Sequence, residues 1–150
     1  MVLVLNKRAT HDYSFSQTLY AGIVLTGPEV KSLRLKHGSL QGSFVKIIGE
    51  EAFLLNAQIN PYAYADNREY DPKRTRKLLL KKKEVFKLME SSSQKGNALI
   101  PLAIEAQGRQ IKLKLGIGAG KKQHEKRSEL KKRAMERDVQ REMKEKVRLR

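Results

Sequence analysis

NALIPLAIEAQGRQIKLKLGIG, Asn97–Gly118, holds two apolar runs that meet at Gly108-Arg109. In the second run Ile111, Leu113 and Leu115 alternate with Lys112 and Lys114. Successive side chains of a strand point to opposite faces, so this spacing predicts a strand with one apolar face and one cationic face. The first run pairs with it as a hairpin, the last of the fold.

Upstream, the same kind of punctuation recurs. AGIVLTG (21–27) is a short apolar run ended by glycine and reads as a buried strand. PEVKSLRLKHG follows, with Pro28 at a first helical position and Gly38 as a stop; Val30, Leu33 and Leu35 are expected to face inward. Phe44 to Ile48 and Phe53 to Leu55 flank Gly49-Glu50-Glu51, the pattern of two strands and a tight turn. Asn60 to Lys73 is a polar loop dotted with tyrosines and long for a compact domain, which marks it for function. Leu78-Leu79-Leu80 fits a strand or a helix start, and Val85, Leu88 and Met89 have helical spacing within Lys81 to Ser91. Short strands interrupted by small helices predict a mainly β fold, an OB-like closed β-barrel over residues 1–117.

Residues 118–150 read differently. All nine aromatic residues lie before residue 87, so the tail lacks core material. The formal charge of the chain is +16, and residues 119–150 carry 13 basic against 6 acidic groups. Met135, Val139, Met143 and Val147 recur every fourth residue as a narrow stripe, too thin to seat a helix firmly. The expectation is a basic C-terminal tail, disordered or partly helical when free. A charge this large points to a polyanionic partner. No run of 18 apolar residues is present and there is no cysteine, so a transmembrane helix, disulfides and thiolate metal sites are excluded.

No motif for catalysis survives inspection. In GIGAGKK, Gly116 and Gly120 are one residue too close for a phosphate-binding loop, and Lys122 stands where the required hydroxyl belongs. These glycines read as a flexible exit, a hinge over Gly116–Gly120. His11, His37 and His124 are not spaced as metal ligands, and neither Ser nor Cys sits in a nucleophile context beside His11-Asp12. The expectation is a non-enzyme without cofactor or metal. The basic clusters carry more: Asn6-Lys7-Arg8, then Lys73, Arg74, Arg76 and Lys77, then Lys112 and Lys114. With tyrosines for stacking, they favour an RNA surface, since arginine forks grip phosphates and aromatic rings accept unstacked bases.

LNKRATHDY, AGIVLTGPEVKSLR, DPKRTRKLLL and GKKQHEKR, in this order and spacing, resemble the SsrA-binding protein family, SmpB. The resemblance runs from about Leu5 into the basic tail. It implies an adaptor that binds the tRNA-like domain of transfer-messenger RNA (tmRNA) and, with elongation factor Tu, delivers it to stalled ribosomes in the bacterial cytoplasm for trans-translation. It implies an RNA face formed by Asn6, Lys7, Arg8, His11, Arg74, Arg76, Lys77, Leu79, Lys112 and Lys114. It also implies a tail that enters the decoding centre and the empty mRNA channel, on small-subunit RNA, through Gly120, Lys121, Lys122, His124, Glu125, Lys126 and Arg127. The implied protein is a monomer that does not use a membrane.

Two departures stand out. The family's usual Asp-Lys-Arg is Glu125-Lys126-Arg127 here, and Tyr20 occupies a position where related sequences often carry Glu. The rival readings are a structural ribosomal protein or general RNA-binding protein, and an RNA-modifying or RNA-cleaving enzyme. The second would need a catalytic constellation that the sequence does not provide.

Overall fold

The computed structural model describes residues 1–94, 96–120 and 137. Its elements run β1 (Val2–Leu5), α1 (Ala9–Asp12), β2 (Tyr13–Ile23), α2 (Gly27–Arg34), β3 (Gly38–Ser39), β4 (Phe44–Ile48), β5 (Glu51–Leu55), β6 (Gln58–Ile59), β7 (Arg76–Leu79), α3 (Lys82–Ser93), β8 (Asn97–Gln107) and β9 (Gln110–Gly120). Seven strands form one sheet in the order β1-β8-β9-β2-β7-β5-β4, all neighbours antiparallel, while β3 and β6 pair separately. The β8–β9 hairpin is the expected one, turning at Gly108, whose φ of 62° suits glycine.

The apolar face of this sheet is the core. Leu113, Leu115 and Ile117 of β9, Ala21 and Ile23 of β2, Leu78 of β7 and Leu54 of β5 are all buried. Leu33 of α2 and Leu88 of α3 join them, and α2 and α3 are amphipathic enough to do so with one stripe each. Leu35, expected inward, is exposed, because α2 ends at Arg34 and Lys36 turns into the left-handed region at φ 63°. Met89 is 38% exposed, while Val85 and Leu88 are buried as the spacing predicts.

Two expectations are corrected here. The barrel is not closed: β1 and β4 are the free ends of the sheet and do not pair. Pro101 of β8 has no N–H to offer a further strand. Asn6 already occupies its neighbourhood, donating from its backbone N–H to the Leu102 carbonyl (2.8 Å) and from Nδ2 to the Pro101 carbonyl (2.8 Å). A groove lined by Val45 and Ile47 of β4, Leu99 and Ile100 of β8 and Met89 of α3 marks the open seam.

The second correction concerns the glycines. Gly116, Gly118 and Gly120 are not a hinge but strand residues, opposite Thr18, Phe15 and Tyr13 of β2. The Phe15 ring lies close against this backbone. A Cβ at Gly116 or Gly118 would stand 2.6 or 2.8 Å from Phe15 Cδ1. Glycine is required there by close approach, not by flexibility. The chain divides into two units, Met1–Gly120 and Lys121–Arg150.

Candidate nucleic-acid interface

Strand register brings several predicted residues to one side of the sheet. Lys112 and Lys114 alternate with the core residues of β9 and so face outward, both half-buried. On β2, Gly22 lies opposite Lys112 and Tyr20 opposite Lys114; on β8, Glu105 lies opposite Lys112 and Ala103 opposite Lys114. Gly22 in turn pairs with Leu79 of β7, which is 55% exposed. At Gly22 a Cβ would meet Leu79 Cβ at 3.1 Å, so glycine lets the exposed leucine lie close to the strand. Lys77, two residues before Leu79 and therefore on the same face, is exposed and reaches Glu51 at 3.2 Å.

The face thus combines two half-buried lysines with an aromatic ring and an aliphatic side chain. Side-chain hydrogen bonding toward Glu105, then desolvation and the charge of that carboxylate, raises the Tyr20 phenol above its ordinary value. Glu105 therefore acts on Tyr20, and in the strand register it stands opposite Lys112. Lys114 has no acidic residue directly opposite on either neighbouring strand and is the less compensated cation. Tyr20 belongs to this face although its residue type alone did not single it out. The signal available in the sequence was its position one residue before the Ala-Gly pair of the strand.

A second cluster sits at the end of β1. Lys7 and Arg8 are exposed in the turn before α1, and they line a groove of about 590 Å³ together with Lys36, Ser39 and Gln41. Lys36 was not foreseen, since nothing in LKHG announced its left-handed backbone. Asn6 holds this turn to β8, as described above, so its amide is spent on the fold. His11 Nδ1 lies 2.9 Å from Asp12 Oδ1, both partly buried.

Arg76 stands elsewhere. Expected on the RNA face, its side chain is 0% exposed. Nε and Nη2 donate to Glu29 Oε2 at 2.8 and 2.6 Å, Nη1 donates to the Ala57 and Arg74 carbonyls, and Nη2 also donates to the Pro72 carbonyl. Arg74 pairs with the other oxygen of the same carboxylate, Oε1, and about a third of its side chain remains exposed. The Tyr70 hydroxyl donates to the Ile59 carbonyl (2.8 Å) and lies 3.1 Å from Glu29 Oε2. Burial alone would raise the Glu29 carboxyl, but hydrogen bonds from Arg74, the Thr26 backbone and Arg76, with the Arg76 charge, hold it down at about 2. Glu29 reaches this point because Thr26 and Glu29 form a capping box at the start of α2. The network ties α2, β7 and both ends of the 60–73 loop together. It positions Arg74 and leaves Arg76 no free donor.

Of the tail residues expected at the ribosome, Gly120 closes β9; Lys121, Lys122, His124, Glu125, Lys126 and Arg127 lie outside the described residues. Among the described residues no group of three metal-ligating side chains occurs, and no helix is long and apolar enough to cross a membrane.

With this geometry in place, comparison with known proteins gives a single family. The family model of SmpB protein matches residues 3–145. This chain belongs to the SmpB family. The SsrA-binding protein of Chloroflexus aggregans is 43% identical over 148 residues, covering 98% of this chain and 94% of the relative. That of Elusimicrobium minutum is 42% identical over 147 residues, with the same coverage of each. A solved chain described as "tmRNA-SmpB: a journey to the center of the bacterial ribosome" superposes with a TM-score of 0.68 at 43% identity, covering 79% of this chain and 84% of the other. SmpB membership extends across both units, the basic tail included.

Proposed function

We propose that this protein is the RNA-binding adaptor of ribosome rescue: it holds the tRNA-like domain of tmRNA and brings it, with elongation factor Tu, to ribosomes stalled on broken messages. The observation that carries this reading is the outer sheet face of Lys112, Lys114, Tyr20 and Leu79, on a chain of a family whose curated relatives are named SsrA-binding proteins. Ammonium groups on a strand face meet successive phosphates, and the ring and leucine beside them accept an unstacked base or a sugar edge. Lys77 extends this face, and Arg74 lies beyond it with about a third of its side chain exposed. Lys7, Arg8 and His11 form a second contact with the same RNA. Asn6 and Arg76 serve the RNA by holding the β1 end and the 60–73 loop in place.

In this reading the sheet is an OB-like barrel left open at one seam, the protein is a monomeric cytoplasmic adaptor and not an enzyme, and no cofactor takes part. The tail, through Gly120, Lys121, Lys122, His124, Glu125, Lys126 and Arg127, occupies the decoding centre and the empty mRNA channel on small-subunit RNA. Purified protein titrated with labelled RNAs tests it. Selective, tight binding to the tRNA-like domain is expected, and equal affinity for unrelated RNAs of similar size would sink the reading in favour of a general RNA binder. For the tail, truncation after Gly120 spares the whole of β9. It should leave tmRNA binding intact and abolish peptide tagging on stalled ribosomes.

A further inference from the structure

The loop between β6 and β7 carries an aromatic arrangement that the sheet face does not use. Tyr64 is 88% exposed, so its ring contributes almost nothing to the core. Its centroid lies 5.5 Å from that of Tyr62 at an interplanar angle of 64°, an edge-on pair. Lys31 Nζ of α2 sits 5.4 Å from the Tyr62 centroid, within cation–π range. The ammonium group therefore stands one ring away from Tyr64.

The loop that holds these rings is stiff. Asn67 Nδ2 donates to the Tyr62 carbonyl (2.8 Å) and the Ala65 carbonyl (3.1 Å), and the Ala65 N–H closes a turn onto Tyr62 at 3.1 Å. Arg68 grips both oxygens of Asp66 at 3.1 and 2.9 Å. At its base Ser32 Oγ donates to the Asn60 carbonyl (2.6 Å), and Tyr70 is anchored in the Glu29 network. An isolated exposed tyrosine needs no explanation. A fully presented ring on a braced loop, with a second ring and a cation beside it, has the composition of a stacking site for an unpaired base.

We propose that Tyr64 stacks on an unpaired RNA base, with Lys31 holding an adjacent phosphate, as an RNA contact separate from the strand-borne lysines. This rests on the adaptor reading for which RNA is met. Two RNAs can supply the base, a loop of the tRNA-like domain or ribosomal RNA.

The test compares Tyr64→Phe, Tyr64→Leu and Tyr64→Ala in full-length protein. Each is titrated with the labelled tRNA-like domain, and then, as the complex with tmRNA, with 70S ribosomes. Stacking predicts that Phe binds as wild type while Leu and Ala are both weakened by about tenfold. Loss already in the free-RNA titration assigns the base to tmRNA, and loss only on the ribosome assigns it to ribosomal RNA. If Leu binds as well as Phe, the ring serves an apolar protein contact and the proposal is overturned. Unchanged affinity of all three in both titrations overturns it as well. A wild type that does not prefer the tRNA-like domain would defeat the adaptor reading by itself, and the ribosome titration would still report on Tyr64.

Discussion

Arg76 and Glu29 face each other with Nη2 2.6 Å from Oε2, and neither side chain exposes more than 1% of its surface. Their elements lie far apart in sequence, α2 and β7, so this pair fixes where the loop between β6 and β7 begins and ends. Removing Arg76 leaves the buried Glu29 carboxylate with Arg74 as its one remaining cation, and breaking a buried pair in this way costs about 3–5 kcal/mol. Arg76→Ala is therefore expected to lower stability by about that much in urea denaturation. Were Arg76 a surface RNA contact, the variant would keep its denaturation midpoint and lose only affinity.

The same carboxylate sets an acid dependence. Glu29 is held at about 2 in the folded protein against an ordinary 4.5. Its folded pKa is depressed, so its contribution is fully present above the unfolded value. It is lost as the pH falls from about 4.5 toward about 2. The difference in melting temperature between wild type and Glu29→Gln should be constant at neutral pH and shrink across that acid window. A difference that grows on acidification would reverse the assigned sign.

On the sheet face the two lysines are not equivalent. Lys112 stands opposite Glu105, whereas Lys114 stands opposite Tyr20 and Ala103. Lys114→Ala should therefore cost more RNA affinity than Lys112→Ala. Each lysine that neutralises a phosphate accounts for a slope of about 0.9 in the logarithm of affinity against that of salt, so each variant should flatten the dependence by about that amount. Both should melt within a few degrees of wild type, since neither side chain belongs to the core. Equal affinity losses would show that Glu105 does not compensate Lys112.

The legible parts of this fold were those with local periodicity. The β8–β9 hairpin followed from Ile111, Leu113 and Leu115 alternating with lysines, and α3 from Val85 and Leu88. The first half of β2 escaped because Ser14, Ser16, Gln17 and Thr18 are exposed and carry no apolar alternation; only pairing with β9 makes them a strand. Arg76 escaped for a related reason. In DPKRTRKLLL it looks like its neighbours, and its partners Glu29 and Ala57 come from distant segments. The Thr26-x-x-Glu29 capping signal was readable, but not the second use of its carboxylate. That β1 and β4 stay unpaired was not legible either, since pairing between strands so distant in sequence follows from no spacing rule.

The glycines of β9 give the last prediction. Gly116→Ala places a methyl group 2.6 Å from Phe15 Cδ1 and 3.1 Å from Leu102 Cδ1, both side chains. Overpacking of this kind costs about 1–3 kcal/mol. Because the clash is with side chains, Phe15→Ala should relieve it, and the double variant should be more stable than the sum of the two single effects. Gly118→Ala differs, since its methyl group would also meet the Ser14 carbonyl oxygen at 2.8 Å, which is backbone. Truncating Phe15 cannot move that oxygen, so rescue at position 118 should be smaller than at 116. Denaturation midpoints of the two double-mutant cycles decide the matter: equal rescue would mean that the strand pair shifts as a unit, and no destabilisation in either single variant would return these glycines to the role of a hinge.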